Sequence, residues 1–169
     1  MEKRNFTFID EQNLYFALRD DGWKLDYKKL RIYLKEKYFI SKAYIFMGFI
    51  PSNHRLYNYL KLAGFVIIFK PVLQLSPKKI KGNCDAEMVL QVMIDLNNYN
   101  QAVIISGDGD FYCLIRHLIQ QNKLLKILAP SKQNRSSLLK SLSSEKISFV
   151  TDLRQKLEYK KEPHKDLPL

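Results

Sequence analysis

The chain is short of glycine, with 6, and of cysteine, with 2, among its 169 residues. Neither a GxGxxG nor a GxxxxGK[ST] stretch occurs, which argues against a dinucleotide site or a P-loop. Cys84 and Cys113 lie far apart in apolar surroundings, without a CxxC. They read as small core residues of a reducing compartment, not as a disulfide framework. No run of about 18 apolar residues exists, so no membrane-spanning helix is expected. The opening Met1-Glu2-Lys3-Arg4-Asn5-Phe6 is not a secretory signal, and a cytoplasmic setting is expected. His54, His117 and His164 have no partners at metal-ligand spacing. Internal repeats and low-complexity tracts are lacking too.

Negative charge is also scarce. Lys and Arg number 28 against 17 Asp and Glu, a net charge of +11 and a pI near 9.6. That balance favours a polyanionic partner, nucleic acid before an anionic membrane. The length suits a single domain that buries about two-thirds of its unfolded surface and needs no staples.

What is present is a regular alternation. Short apolar runs at residues 5–10, 43–50, 65–69, 103–105, 124–128 and 147–150 read as strands. Helical spacing falls between them, at 12–19, 25–38, 51–63, 84–99, 110–121 and 136–142, while 70–83 reads as a loop. Strands alternating with helices describe βαβ units. The expected fold is a Rossmann-like three-layer α/β/α sandwich around a mainly parallel sheet, ordered about 3-2-1-4-5. Residues 1–151 would form this domain, and 152–169 a charged C-terminal extension with a helical start and a mobile end.

The most informative stretch is Val103-Ile104-Ile105-Ser106-Gly107-Asp108-Gly109-Asp110-Phe111. Three β-branched residues read as a strand buried on both faces. The two glycines allow a sharp turn at its carboxyl end, where open α/β sheets bind ligands. Asp108 and Asp110 would stand there together. In the expected strand order Asp10, at the end of the first strand, converges on them. Asp85 joins only if its helix starts at the same edge. Carboxylates gathered this closely call for a hard divalent cation such as Mg²⁺ or Mn²⁺. Plain structural readings stand beside these: Asp10, Asp85 or Asp110 as helix cap, with Asp85 favourable to the dipole. Glu87 and Asp95 read as solvated helix-face residues.

Three stretches in order, Ile9-Asp10-Glu11-Gln12-Asn13-Leu14, Lys81-Gly82-Asn83-Cys84-Asp85 and Ser106-Gly107-Asp108-Gly109-Asp110-Phe111, resemble the signatures of NYN domains. These are PIN-like nucleases, and the likeness is to the LabA-like branch, over about residues 5–150. The resemblance implies a PIN-like fold and a divalent-metal ribonuclease site. By motif position it assigns Asp10, Asp85, Asp108 and Asp110 as metal-binding, catalytic acids, with Asn13 and Ser106 as supporting polar residues. Some relatives place a further ligand about two turns into the third helix. Here Gln91 and Asp95 bracket that region, and no ligand is assigned.

The expected activity is hydrolysis of RNA phosphodiester bonds with Mg²⁺ or Mn²⁺ at the acidic edge. Lys78, Lys79 and Lys81 would steer the backbone, and Tyr15 or Tyr112 would stack unpaired bases. Single-stranded RNA is favoured over duplex, no membrane is involved, and a homodimer is left open. The alternative is an RNA-binding or regulatory module without turnover. A HAD-like phosphatase is disfavoured, because the second acid it needs two positions after Asp10 is Gln12.

Overall fold

Apolar runs too short for helices pair side by side, and the amphipathic stretches between them cover both faces of the resulting sheet. The computed structural model describes residues 4–70, 84–142 and 144–160, and the backbone alone of 73–76 and 79–81. The elements in order are β1 (Asn5–Asp10), α1 (Glu11–Asp20), α2 (Tyr27–Tyr38), β2 (Ile40–Gly48), α3 (His54–Leu62), β3 (Val66–Lys70), β4 (Leu73–Ser76), β5 (Lys79–Lys81), α4 (Asp85–Ile94), β6 (Ala102–Ile105), α5 (Tyr112–Gln120), β7 (Leu124–Ala129), α6 (Ser137–Leu142), β8 (Ile147–Phe149) and α7 (Arg154–Leu157). Six strands form one sheet in the order β3-β2-β1-β6-β7-β8. Every pairing in it is parallel. Numbering only its own strands, the sheet reads 3-2-1-4-5-6, the expected order with β8 added at the edge.

Successive strand residues point to opposite faces, and the two cores follow from that. Phe6 and Phe8 of β1, with Ala102 and Ile104 of β6, pack against Met88 and Val92 of α4 and Leu114, Ile115 and Leu118 of α5. Ile9, Val103 and Ile105 face the other way, against Leu14 and Leu18 of α1, Leu30 and Leu34 of α2 and Leu60 of α3. Ile104 is fully buried, so truncating it to alanine should cost about 2–5 kcal/mol. Thr7, a polar residue in the middle of β1, is also fully buried. Its hydroxyl donates to the Val103 carbonyl at 3.0 Å, which satisfies it inside the sheet.

Several boundaries differ from the sequence reading. The helix expected at 84–99 stops at Ile94, and turns follow as far as Asn98. The loop at 70–83 contains an antiparallel pair, β4 with β5. The start of the C-terminal segment packs onto the domain. Leu157 is buried, its carbonyl accepts from the Asp26 N–H at 2.8 Å, and the Tyr159 N–H donates to the Lys24 carbonyl at 2.8 Å. Residues 161–169, including His164, lie outside the described residues. Both cysteines are free, but Cys113 is exposed and Cys84 half-buried, so neither is the core residue expected. Among the described residues no helix is long and apolar enough to cross a membrane.

Asp95 corrects the sequence reading most clearly. It is buried, not solvated. Its carboxylate accepts from the Tyr44 hydroxyl at 2.6 Å, from Gln91 at 2.8 Å and from Asn98 at 2.9 Å. Glu87 is likewise only half-exposed, with Lys70 at 3.6 Å. Burial opposes the charge of Asp95, but the bonds from Tyr44, Asn98 and Gln91, with Lys42 nearby, hold its carboxyl below the usual range. A depressed folded pKa stabilises the fold at pH above the unfolded value, about 3.9. That stabilisation fades as pH falls through the lower folded value. Asp95→Asn should therefore lower stability by about 1–3 kcal/mol at pH 7. The difference should shrink steadily below about pH 4. Urea denaturation at the two pH values checks both statements.

Candidate metal centre

The site begins with a register. β1 and β6 run parallel with Ile9 opposite Ile105, so the next residues, Asp10 and Ser106, emerge side by side at the carboxyl edge. Asp10 uses both carboxylate oxygens. Oδ1 accepts from the Asn13 N–H at 3.2 Å and caps α1. Oδ2 accepts from the Ser106 hydroxyl at 3.0 Å. The cap reading of Asp10 and the reading that puts it at an acidic edge thus hold together. Ser106 Oγ in turn accepts from the Asp108 N–H at 3.1 Å. Asn13 Oδ1 accepts from the Gly107 N–H at 2.9 Å, a second link between α1 and the β6 turn. Asp108 Oδ1 accepts from the Asp110 N–H at 2.9 Å and opens the short 3-10 turn that leads into α5.

Two glycines let another loop close over this turn. A Cβ on Gly107 would collide with the backbone carbonyl of Asn134, and one on Gly109 would press on the Ser136 hydroxyl. The Ser136 N–H donates to the Gly107 carbonyl at 2.9 Å. The polar run Ser131-Lys132-Gln133-Asn134-Arg135-Ser136 therefore buttresses the acidic turn from behind.

Asp85, Asp108 and Asp110 each offer a carboxylate oxygen, and the three lie within 4.8 Å of one another. Asp85 is the first residue of α4, which starts at the same edge as the β6 turn ends. The helix N-terminus partly favours its charge. Among the described residues no lysine or arginine forms an ion pair with Asp108 or Asp110. Asp10 stands beside this triad. Burial pushes its carboxyl up to about 6, against the bonds from Asn13 and Ser106, and the nearby charges of Asp85 and Asp108 push the same way. Glu11 is driven up to about 7, first by burial, against the Tyr27 hydroxyl that donates to it at 3.2 Å, with Asp10 adding to the rise. Burial also lifts the Cys84 thiol to about 11, so it stays protonated near neutral pH. A donor set of hard carboxylate oxygens without a thiolate fits Mg²⁺ or Mn²⁺ better than a softer metal.

The structure thus brings Asp85, Asp108 and Asp110 together, with Asp10 at their margin and Asn13 and Ser106 in the bonds between them. Lys78 lies outside the described residues, and of Lys79 and Lys81 only the backbone, on β5, is described. Gln91 and Asp95 bond to each other at the opposite end of α4 from Asp85, away from the triad. Tyr112 is half-buried with the Arg116 guanidinium 5.7 Å over its ring, whereas Tyr15 is exposed. Sequence reasoning passed over two features. Glu11 adjoins Asp10 as a half-buried acid. Lys132 and Arg135 stand over Phe149 on the buttressing loop, at 5.8 and 5.4 Å. The polar run between β7 and α6 was the visible signal for the second, and Glu11 gave none. Gly107→Ala should cost about 1–3 kcal/mol through overpacking against the Asn134 backbone, read by urea denaturation. An unchanged midpoint would show that the buttressing loop yields freely.

Comparison with known proteins fits this geometry. The family profile of the NYN domain matches residues 5–150. The low amplitude and bright protein LabA of Synechococcus elongatus is 26% identical over 114 residues, which cover 62% of this chain and 61% of that protein. The chain thus spans less than two-thirds of the length of that curated relative. A crystal structure of VPA0982 from Vibrio parahaemolyticus, a protein of unknown function, shares the fold with a TM-score of 0.71 at 20% identity, over 94% of this chain and 97% of that one. NYN nucleases generally depend on a divalent metal, and an acidic triad is present here. The chain belongs to the NYN domain family, which has a PIN-like nuclease fold.

Proposed function

We propose that the protein is a divalent-metal-dependent ribonuclease that hydrolyses phosphodiester bonds of single-stranded RNA at the carboxyl edge of its sheet. The observation that carries this reading is the convergence of Asp85, Asp108 and Asp110 within 4.8 Å in a chain of net charge +11. Those three carboxylates would hold Mg²⁺ or Mn²⁺, with Asp10 completing the acidic set. When bound, such an ion polarises a phosphate oxygen and lowers the pKa of a coordinated water. The residues of the chain do the rest. Ser106 and Asn13 fix Asp10 and the β6 turn in one orientation, so the carboxylates meet substrate without rearranging. The basic surface, Lys78, Lys79 and Lys81 included, draws in the polyanion and makes binding steeply salt-dependent. Free cysteines suit a reducing, cytoplasmic setting. The reading extends to residues 1–151 as the nuclease domain, with 152–169 as its extension.

Incubation of end-labelled single-stranded RNA with Mn²⁺ or Mg²⁺ should give product that EDTA abolishes. Asp108→Asn and Asp85→Asn should each lower the rate on the order of 10²-fold or more, while circular dichroism shows the fold intact. Cleavage undiminished in EDTA contradicts the proposal. Salt-sensitive RNA binding with no product at any metal concentration would instead make the protein a binding or regulatory module.

A further inference from the structure

Beside the carboxylate triad lies a cavity of about 370 Å³ that no step above uses. Asp10 and Cys84 line it, and Cys84 is the neighbour of Asp85, so one end of the cavity adjoins the acidic edge. Its size falls within the range of small-ligand sites, about 300–1,000 Å³. The wall is aromatic. Tyr15 and Phe16 stand on α1 with rings 5.6 Å apart and remain 51% and 41% exposed, and Tyr27 lies deeper. Gln12 and Asn53 supply side-chain amides, and among the described residues neither amide makes a hydrogen bond. Among the described residues the lining contains no lysine, arginine or histidine.

These features narrow the ligand. A phosphate or other anion is disfavoured, because the lining offers carboxyls and no cation. An aliphatic chain would leave the two amides without partners. A flat, neutral, polar-edged ring satisfies both sets of groups: it stacks on the aromatics and pairs its edge with the amides. Asn and Gln are the side chains that bond base edges in a bidentate manner, and sequence-tolerant RNA sites stack unpaired bases on Tyr and Phe.

We propose that this cavity receives one unstacked nucleobase of the RNA strand whose phosphodiester lies at the Asp85–Asp108–Asp110 cluster, with Tyr15 as the stacking platform. The inference rests on the ribonuclease reading and adds to it the unit the enzyme recognises. On this reading single strands would be preferred, because a base held in a duplex cannot enter.

The test uses the full chain and fluorescein-labelled single-stranded RNA, with binding read by anisotropy in EDTA so that chemistry is absent. A single abasic position is moved along the oligonucleotide. Abasic substitution at one position should weaken binding by roughly 5- to 100-fold, as should Tyr15→Ala with intact RNA. On the RNA abasic at that position, Tyr15→Ala should cause no further loss, and Tyr15→Phe should bind intact RNA nearly as wild type. Binding that no abasic position changes by more than about twofold, in a protein that still cleaves RNA, overturns the base pocket and leaves the nuclease reading standing. Equal weakening of intact and abasic RNA by Tyr15→Ala also overturns it. Failure to bind or cleave any RNA, with or without Mn²⁺, overturns both.

Discussion

Carboxylates from separate stretches of the chain are pressed together at one edge of the sheet, and the rest of the structure answers to that crowding. Two such charges ~4 Å apart repel by about 4 kcal/mol at an effective dielectric near 20. The chain does not relieve the repulsion by moving them apart. The parallel register of β1 and β6 brings Asp10 and Ser106 level. The Ser106 hydroxyl then ties Asp10 to the amide of Asp108. Asn13 grips the Gly107 amide from α1. The side chains beneath are fully buried on both faces of the sheet, so the edge cannot spread without opening a core. The Asp10 pKa rises to about 6 first through burial, with the nearby charges of Asp85 and Asp108 pushing the same way.

The topology explains why the acids meet at all. Strand order reverses between β1 and β6, and at such a switch point the connections leave in opposite directions and open a crevice. Asp10 comes to it from one side and Asp108 from the other. Asp85 arrives by a different route, at the first turn of the helix that precedes β6. Residues of the 131–136 loop pack directly on the β6 turn at its two glycines. The aromatic cavity lies beside Asp10, which lines it.

Much of this was legible in the sequence, for definable reasons. The run at 103–105 is fully buried and carries no polar alternation, so a parallel sheet could be read from it; the run at 65–69 is as apolar but forms the edge strand, where Val66 is exposed. Asp108 and Asp110 announced themselves through Gly107 and Gly109, since two glycines among acids mark a turn under close packing. Asp85 was harder, because its role depended on where the segment from 70 to 83 led, and no periodicity encodes that. Asp95 was misread because helical spacing shows which face a residue occupies but not that Tyr44, on a distant strand, waits to donate to it. The helix expected through Tyr99 failed for a related reason. Leu96 and Tyr99 keep the apolar rhythm, but Asn97 and Asn98 favour turns, and Asn98 bonds Asp95 through both its amide and its backbone. The cavity at Asp10 could not be foreseen, since its walls come from α1, β2 and α3, which only the fold brings together.

The central claim is that these aspartates form a seat for a doubly charged ion. Calorimetric titration of the EDTA-stripped protein with Mn²⁺ tests it most directly. The account predicts saturable binding that Asp85→Asn and Asp108→Asn each weaken by 10-fold or more, with an accompanying rise in the melting temperature of the wild type. Binding that both substitutions leave unchanged, or no binding at millimolar Mn²⁺, would contradict it.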